Sequence, residues 1–168
     1  MMDAGSAMGR FFLFFLILHV SIKFNMTYTY KYPRPSLTVD IAVIKENEGD
    51  YEILLIKRKN EPFEGMWALP GGFVDMDETV ETAASRELFE ETNLSGIHLE
   101  QFLVFSELDR DPRGRTISVV FTGFLKDDQE AKAKDDALEA HWVDVKKLPE
   151  LAFDHRKIID LLVKKQLS

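Results

Sequence analysis

The sequence predicts an α/β fold in which strands and helices form a layered sandwich. Two observations support this class. Apolar segments with strand character recur at residues 37–44, 51–58 and 116–125, and two substantial helical patterns stand near the two ends of this core. Strands mixed with helices in this way bury their apolar faces by packing in layers. The periodicity alone does not fix the strand order.

The first two predicted strands form a hairpin. Residues 37–44 are almost entirely apolar and indicate a mostly buried strand, and residues 51–58 indicate a second one. Between them, residues 46–50 contain Asn and Gly, which favour a hairpin turn. A loop at residues 62–65 then leads to a short extended segment, residues 67–70, that runs into two consecutive glycines.

The first helix follows those glycines. Asp75 with Glu78 three residues later fits a capping box, so we expect the helix to begin near Asp75 or Asp77. Its small side chains allow a close approach to the sheet. Its apolar stripe consists of Val80, Ala83, Ala84 and Leu88.

The second half of the chain alternates strands with polar connections. Residues 97–107 and 116–125 indicate two paired strands, joined by a charged turn at residues 109–115. Residues 126–136 are polar and predict a mobile surface loop. A short final strand is expected at residues 139–143.

The last predicted helix spans residues 154–166, after a helical turn at residues 144–148. Asp154 stands at the N-cap position of this helix, where a short polar side chain is preferred. The apolar residues recur at helical spacing and predict one buried face, formed by Ile158, Ile159, Leu161 and Leu162.

Composition limits the class of protein. A chain of 168 residues suffices for one domain with a sizeable core. The 29 acidic residues outnumber the 21 basic ones, which argues against a DNA or RNA partner. The absence of cysteine excludes disulfides, thiolate metal sites and a cysteine nucleophile, and fits a reducing, cytoplasmic location.

Residues 1–25 differ from the rest of the chain. A nearly unbroken apolar run at residues 11–22 follows Arg10, but it is short for a membrane-spanning helix. Three interpretations stay open, namely a false start, a signal peptide and a membrane anchor. Membrane association is not favoured. We therefore expect an apolar extension at residues 1–25 and one domain at residues 26–168.

Acidic residues are concentrated just after the two glycines. Between Gly72 and Leu94 there are seven acids and one base. Three of the acids, Glu87, Glu90 and Glu91, stand at i, i+3 and i+4 and therefore share one helical face. One interpretation is a solvated charged face. The other is a site for hard divalent cations, which prefer carboxylate oxygens.

The spacing in this region resembles the signature of the Nudix hydrolases. That signature has Gly, five residues, Glu, seven residues, then Arg-Glu-aliphatic-x-Glu-Glu-x-Gly-aliphatic. The residues that match are Gly72, Glu78, Arg86, Glu87, Leu88, Glu90, Glu91 and Leu94. Asn93 stands where the signature has glycine. Asn is the usual second choice for a left-handed helix end, so this departure leaves the resemblance intact.

The resemblance implies the Nudix fold over residues 36–166, an α/β/α sandwich with a mixed central sheet. It also implies that Glu87, Glu90, Glu91 and the Gly71 carbonyl bind Mg²⁺, with Mn²⁺ as an alternative. Arg86 and Glu78 would have supporting roles, with Arg86 orienting a glutamate through a salt bridge.

The catalytic base and the phosphate ligands are less sharply defined. Candidate bases are Glu87 in the signature, and Glu107 and Glu139 at predicted strand ends. Arg58, Arg113 and Arg115 are candidate substrate ligands, since each could reach a phosphate; ordinary surface solvation is the alternative for each.

Segments outside the signature resemble the ADP-ribose pyrophosphatase-like branch of the family. These segments are residues 32–35, 67–75, 109–115 and 151–156. This likeness implies a nucleoside diphosphate substrate, with ADP-ribose cleaved to AMP and ribose 5-phosphate. A non-catalytic ADP-ribose sensor and an oxidised nucleoside triphosphate pyrophosphohydrolase are the alternatives. Many relatives are dimers, so a homodimer is one option.

Overall fold

The computed structural model describes residues 29–126, 129–134 and 136–167. The chain divides into two units, Met1–Lys31 and Tyr32–Ser168, and every strand and helix described here belongs to the second. The predictions for residues 1–25 concern a segment outside the described residues and stay predictions. In the part of the chain that is described, no helix is long and apolar enough to cross a membrane.

The described residues of the second unit form seven strands and two α-helices, in an order close to the predicted one. The second helix continues directly as a short π-helical turn. In chain order the elements are β1 (Ser36–Asn47), β2 (Asp50–Arg58), β3 (Trp67–Ala68), β4 (Gly71–Phe73), α1 (Val80–Thr92), β5 (Glu100–Phe105), β6 (Thr116–Phe124), β7 (Ala137–Asp144), α2 (His155–Leu162) and the π-helical turn (Val163–Leu167).

The strands form one mixed sheet around β1. The main strand order is β3-β2-β1-β6-β5, with β4 also paired to β1 and β7 also paired to β2. β1 runs parallel to β6 and antiparallel to β2 and β4. The predicted hairpin between β1 and β2 is confirmed, because Asn47 pairs with Asp50 across a two-residue turn.

Helices α1 and α2 cover opposite faces of the sheet. Successive side chains of a strand point to opposite faces. Val39, Ile41 and Val43 of β1 belong to the buried cluster that includes α1 residues, whereas Ala42 and Ile44 belong to the cluster that includes α2 residues. The predicted layered α/β sandwich with a mixed central sheet is therefore confirmed.

Helix α1 begins later than the sequence predicted. Its N-cap is Thr79, whose hydroxyl accepts a hydrogen bond from the Thr82 amide at 3.3 Å, so the expected start near Asp75 or Asp77 is wrong. The capping-box contact does form, because Glu78 Oε1 accepts from the Asp75 amide at 2.9 Å, but it closes a turn ahead of the helix. At the other end, Asn93 adopts the expected left-handed conformation, with φ of 61°.

The C-terminal segments also depart in detail from the prediction. Asp154 does stand at the N-cap of α2, but its side chain makes no capping hydrogen bond. The α-helical part ends at Leu162 and the π-helical turn completes the predicted span. The expected helical turn after β7 is only a hydrogen-bonded turn, closed by the Lys147 amide and the Asp144 carbonyl at 2.8 Å.

Candidate active site

Two glycines of β4 bring the backbone against the acidic helix. The Gly71 amide donates a 2.9 Å hydrogen bond to Glu91 Oε2. A Cβ atom on Gly71 would lie 2.2 Å from the Val39 carbonyl oxygen, and one on Gly72 would lie 2.3 Å from Glu87 Oε1. Only glycine therefore fits at position 71, whereas a side chain at position 72 would have to displace the Glu87 carboxylate. At Gly71 the obstacle is the backbone of β1, whereas at Gly72 it is a candidate functional carboxylate.

The three signature glutamates of α1 differ in their exposure to solvent. Glu91 is buried, with 6% of its surface accessible. The side chain of Glu87 is 14% accessible and that of Glu90 is 45% accessible. The sequence alternative of a solvated charged face therefore suits Glu90 alone, because Glu87 and Glu91 are both directed into the protein beside the glycines.

Arg86 ties the acidic residues together. Its Nε and Nη2 atoms donate to the two carboxylate oxygens of Glu78 at 3.0 and 2.6 Å. Its Nη1 donates to Glu87 at 2.7 Å and to Glu90 at 3.0 Å, and Nη2 also reaches the Phe73 carbonyl at 3.1 Å. The hydrogen bonds that Arg86 donates to Glu78 and Glu87 raise the pKa of its guanidinium further above the ordinary value.

Burial disfavours ionisation of Glu87 and Glu91. It raises the pKa of Glu91 to about 8, although the Gly71 N–H bond opposes this shift. Burial also raises the pKa of Glu87, and Arg86 opposes it there. Each carboxylate also disfavours ionisation of its neighbours, because like charges lie on one helical face.

This donor set has the chemistry that a hard divalent cation requires. Oxygen ligands with excess negative charge, partly withdrawn from water, favour a cation among them. Among the described residues, however, no three acidic or histidine side chains are arranged closely enough to coordinate one metal ion. Arg86 holds Glu87 and Glu90, while Glu91 bonds to the Gly71 amide. The residues fit a divalent cation, provided that Arg86 releases Glu87 and Glu90.

Two of the three predicted phosphate ligands lie together beside the glycines. Arg58 and Arg113 line one cavity with Gly71, Gly72 and Phe153. The Arg113 guanidinium lies 4.9 Å from the centre of one aromatic ring, that of Phe73, and 5.6 Å from that of Phe153. Such contacts hold a guanidinium in place while leaving its edge available for hydrogen bonds.

Arg58 and Arg113 are held in different ways. Arg58 donates to the Pro62 carbonyl at 2.8 Å and forms no ion pair among the residues that the structure describes. Burial, and then the positive charge of Arg113, lower the pKa of Arg58. Arg113 has a carboxylate partner, since its Nε and Nη2 bond to Asp111 at 3.0 and 2.8 Å. An anion between the two guanidiniums would relieve their mutual repulsion.

The other predicted residues have partners of their own. Arg115 donates to the carbonyls of Glu107 and Thr116 at 3.3 and 3.1 Å, and the Glu107 carboxylate pairs with Lys157. Glu139 bonds to Lys57 at 2.9 Å, and this bond lowers the pKa of Glu139. None of these contacts links Arg115, Glu107 or Glu139 to the glycines or to α1.

A buried charged cluster beside the same cavity was missed by sequence reasoning. Asp40 on β1 accepts hydrogen bonds from Ser118 at 2.5 Å and from Arg110 at 3.1 Å, and His155 Nε2 lies 3.3 Å from it. Arg110 also binds both carboxylate oxygens of Asp154, at 3.0 and 2.7 Å. The sequence favoured a simple helix cap at residues 154–156. The available signal was that Arg110 and Asp154 lie in two of the segments that resemble the ADP-ribose branch.

A model of the NUDIX domain matches residues 34–162 of this chain. The chain belongs to the NUDIX family. The matched residues contain the glycines, the acidic helix, Arg58 and Arg113, and the buried cluster. The Nudix resemblance of residues 72–94 is thereby confirmed over nearly the whole folded unit.

Individual relatives agree with this assignment. The chain is 52% identical to an ADP-ribose pyrophosphatase from Methanocaldococcus jannaschii, over 74% of this chain and 71% of that protein. It is 35% identical to the ADPR responsive transcriptional repressor NtrR of Acinetobacter baylyi, of whose length it spans about half (52%). Among solved structures, the NUDIX domain of Shewanella oneidensis NrtR complexed with ADP ribose matches with a TM-score of 0.73 and 31% identity, over 82% of this chain and 91% of that chain.

Proposed function

We propose that this NUDIX protein is a pyrophosphohydrolase that cleaves ADP-ribose to AMP and ribose 5-phosphate. The observation that carries the proposal is the pair of withdrawn carboxylates, Glu87 and Glu91, set against Gly71–Gly72 beside two guanidiniums. The 52% identity to an ADP-ribose pyrophosphatase supports the choice of substrate. The reaction adds water across one phosphoanhydride bond, so that one phosphorus gains hydroxide and the other phosphate leaves with the bridging oxygen.

A divalent cation, Mg²⁺ or Mn²⁺, would be held by Glu87, Glu90, Glu91 and the Gly71 carbonyl. When bound, such an ion neutralises the phosphate oxygens and makes water a better nucleophile. Arg86 supplies a positive charge for Glu87 and Glu90 where no cation is present. Its two bonds to Glu78 fix the guanidinium in place, so that Glu87 keeps one orientation.

Glu87 is the first candidate for the general base. A base works best when its pKa lies near the operating pH, and burial moves the pKa of Glu87 upwards in that direction. Glu139 is a weaker candidate, since its bond to Lys57 moves its pKa the other way. Glu107 is engaged by Lys157 and ranks with Glu139.

Arg58 and Arg113 would bind the diphosphate. A guanidinium binds phosphate oxygens through two parallel N–H groups, and both arginines line the cavity beside Gly71 and Gly72. A diphosphate between them would give the half-buried Arg58 the direct ion pair that it does not form among the described residues. Arg115 points its Nη1 at backbone carbonyls instead and would contribute little.

A sensor that binds ADP-ribose without cleaving it is the second candidate, because the chain is similar to an ADPR responsive repressor. Turnover separates the two functions. We expect the wild-type chain with Mg²⁺ to convert ADP-ribose to AMP and ribose 5-phosphate, and Glu91→Gln to bind ADP-ribose but lose turnover by a factor of roughly 10² or more. Binding of ADP-ribose by the wild type without any product would establish the sensor instead.

The same assay, run on a panel of nucleotides at one Mg²⁺ concentration, tests the substrate class. We expect ADP-ribose to be preferred over oxidised deoxynucleoside triphosphates, the substrates suggested by a 33% identical putative 8-oxo-dGTP diphosphatase of Bacillus subtilis.

We also propose that the protein works in the cytoplasm, without a nucleic-acid partner, and that it forms a homodimer. The net charge of −8 disfavours nucleic-acid binding.

A further inference from the structure

His155 connects two parts of the molecule that lie far apart in the sequence. Its Nδ1 accepts a 2.8 Å hydrogen bond from the Leu69 amide, and its Nε2 lies 3.3 Å from Asp40 Oδ1. The ring is buried, with 3% of its surface accessible. Because a backbone N–H can only donate, Nδ1 must be the unprotonated nitrogen. Nε2 therefore carries the ring proton and donates a hydrogen bond to Asp40.

The bond to Leu69 acts on the segment that leads into the glycine turn. Leu69, Pro70 and Gly71 each have one polar anchor outside the segment. The Leu69 amide bonds to His155, the Pro70 carbonyl accepts from Ile41 at 2.8 Å, and the Gly71 amide bonds to Glu91. Of these three anchors, His155 is the one supplied by α2, on the opposite face of the sheet from α1.

The rest of the buried cluster fixes His155 itself. Asp40 receives the His155 Nε2–H and is also bonded by Ser118 and Arg110. Arg110 is clamped in turn by both oxygens of Asp154, the residue just before His155. Buried side chains with all their hydrogen bonds made hold one geometry, since any change leaves a polar group unpaired.

We propose that His155 is a positioning residue which, as the neutral Nε2–H tautomer, fixes the Leu69–Gly71 segment so that Gly71 and Gly72 meet Glu91 and Glu87. The inference rests on the proposed hydrolase function for its kinetic consequence. His155 does not touch the substrate in this proposal. It acts through the backbone of residues 69–71, and the cluster around Asp40 acts through His155.

Two substitutions separate positioning from general stability. In His155→Asn the side-chain oxygen takes the place of Nδ1 and can still accept from the Leu69 amide, but the Asp40 contact is lost. In His155→Gln the amide nitrogen takes the place of Nε2 and can still reach Asp40, but the Leu69 contact is lost. Both variants remove part of a buried ring, so both are expected to lower Tm to a similar extent.

We expect His155→Gln to lower kcat for ADP-ribose by roughly 10-fold to 100-fold, as small misplacements of catalytic groups do, while KM changes little. His155→Asn should keep most of the wild-type kcat. Equal losses of kcat in the two variants, or a larger loss in His155→Asn, would overturn the proposal, because a purely structural histidine would affect activity only through stability.

Nuclear magnetic resonance gives a readout that does not depend on turnover. Long-range proton–nitrogen spectra of the wild type should show Nδ1 of His155 unprotonated and Nε2 protonated. The amide resonance of Gly71 should shift in His155→Gln and stay close to its wild-type position in His155→Asn. A protonated Nδ1, or a Gly71 amide that ignores His155→Gln, would overturn the proposal. A wild type without turnover would remove the proposed function and leave this test standing.

Discussion

Replacing the buried Glu91 by glutamine should make the metal-free protein more stable at high pH. Burial raises the pKa of Glu91 from 4.5 to about 8, so the folded state resists its ionisation. The unfolded chain ionises this group near pH 4.5. As pH rises from 4.5 to 8, folding therefore loses stability, because the unfolded state releases a proton that the native state retains.

The size of this effect follows from the difference between the two pKa values. Each pKa unit corresponds to about 1.4 kcal/mol, so ionising Glu91 in the folded protein costs up to about 5 kcal/mol above pH 8. Glutamine keeps an oxygen for the Gly71 amide but adds a buried NH₂ group, which costs about 1–3 kcal/mol at every pH. The pH-dependent part is the informative one, since the cost of the NH₂ group is constant.

Urea unfolding in EDTA, at pH 5 and pH 9, measures the pH-dependent part of this stability difference. We expect the free energy of unfolding of Glu91→Gln, relative to wild type, to rise by about 2–5 kcal/mol between the two pH values. Glu81→Gln is the control, because Glu81 lies on the same helix but is exposed, and its relative stability should stay within about 0.5 kcal/mol. A Glu91→Gln difference that stays constant with pH would refute the reasoning.

Two further predictions use neighbouring residues as matched controls. Gly72→Ala should lower kcat by roughly 10²-fold with little change in Tm, because its methyl group displaces only the Glu87 carboxylate. Gly71→Ala should instead lower stability by about 1–3 kcal/mol, because its methyl group meets the backbone of β1. Similar Tm values for the two variants would contradict this prediction. Arg113→Lys should raise KM for ADP-ribose roughly tenfold, since lysine loses the planar fork between the aromatic rings, while Arg115→Lys should leave KM unchanged; equal effects in the steady-state assay would remove Arg113 from the site.

The acidic helix could be predicted because its information is local. Glu87, Glu90 and Glu91 share a face through helical spacing alone, and Asn93 ends the helix as its residue type suggests. The start was misplaced because two polar residues, Asp75 and Thr79, could each cap a helix. The neighbouring Glu78 favoured Asp75. Glu78 does bond to the Asp75 amide, but Arg86, eight residues further along, binds it as well, and the helix begins only after Thr79.

The buried cluster could not be predicted, because its members meet only through sheet topology. Asp40 and Ser118 are joined by the parallel pairing of β1 with β6, and Arg110 and Asp154 come from separate loops. Asp154 has the residue type and the position of an N-cap, so local reasoning accounts for it without a distant partner. A buried ion pair at long sequence separation leaves no periodic pattern.

Arg86 divides its hydrogen bonds into two independent sets. The bonds to Glu78 and to the Phe73 carbonyl use Nε and Nη2, whereas the bonds to Glu87 and Glu90 use Nη1 alone. Glu87 and Glu90 could thus leave Nη1 and bind a cation, while Nε and Nη2 keep the guanidinium bonded to Glu78 and to the Phe73 carbonyl. We therefore expect metal loading to proceed by side-chain exchange at the speed of rotamer motion, with the backbone of α1 the same before and after.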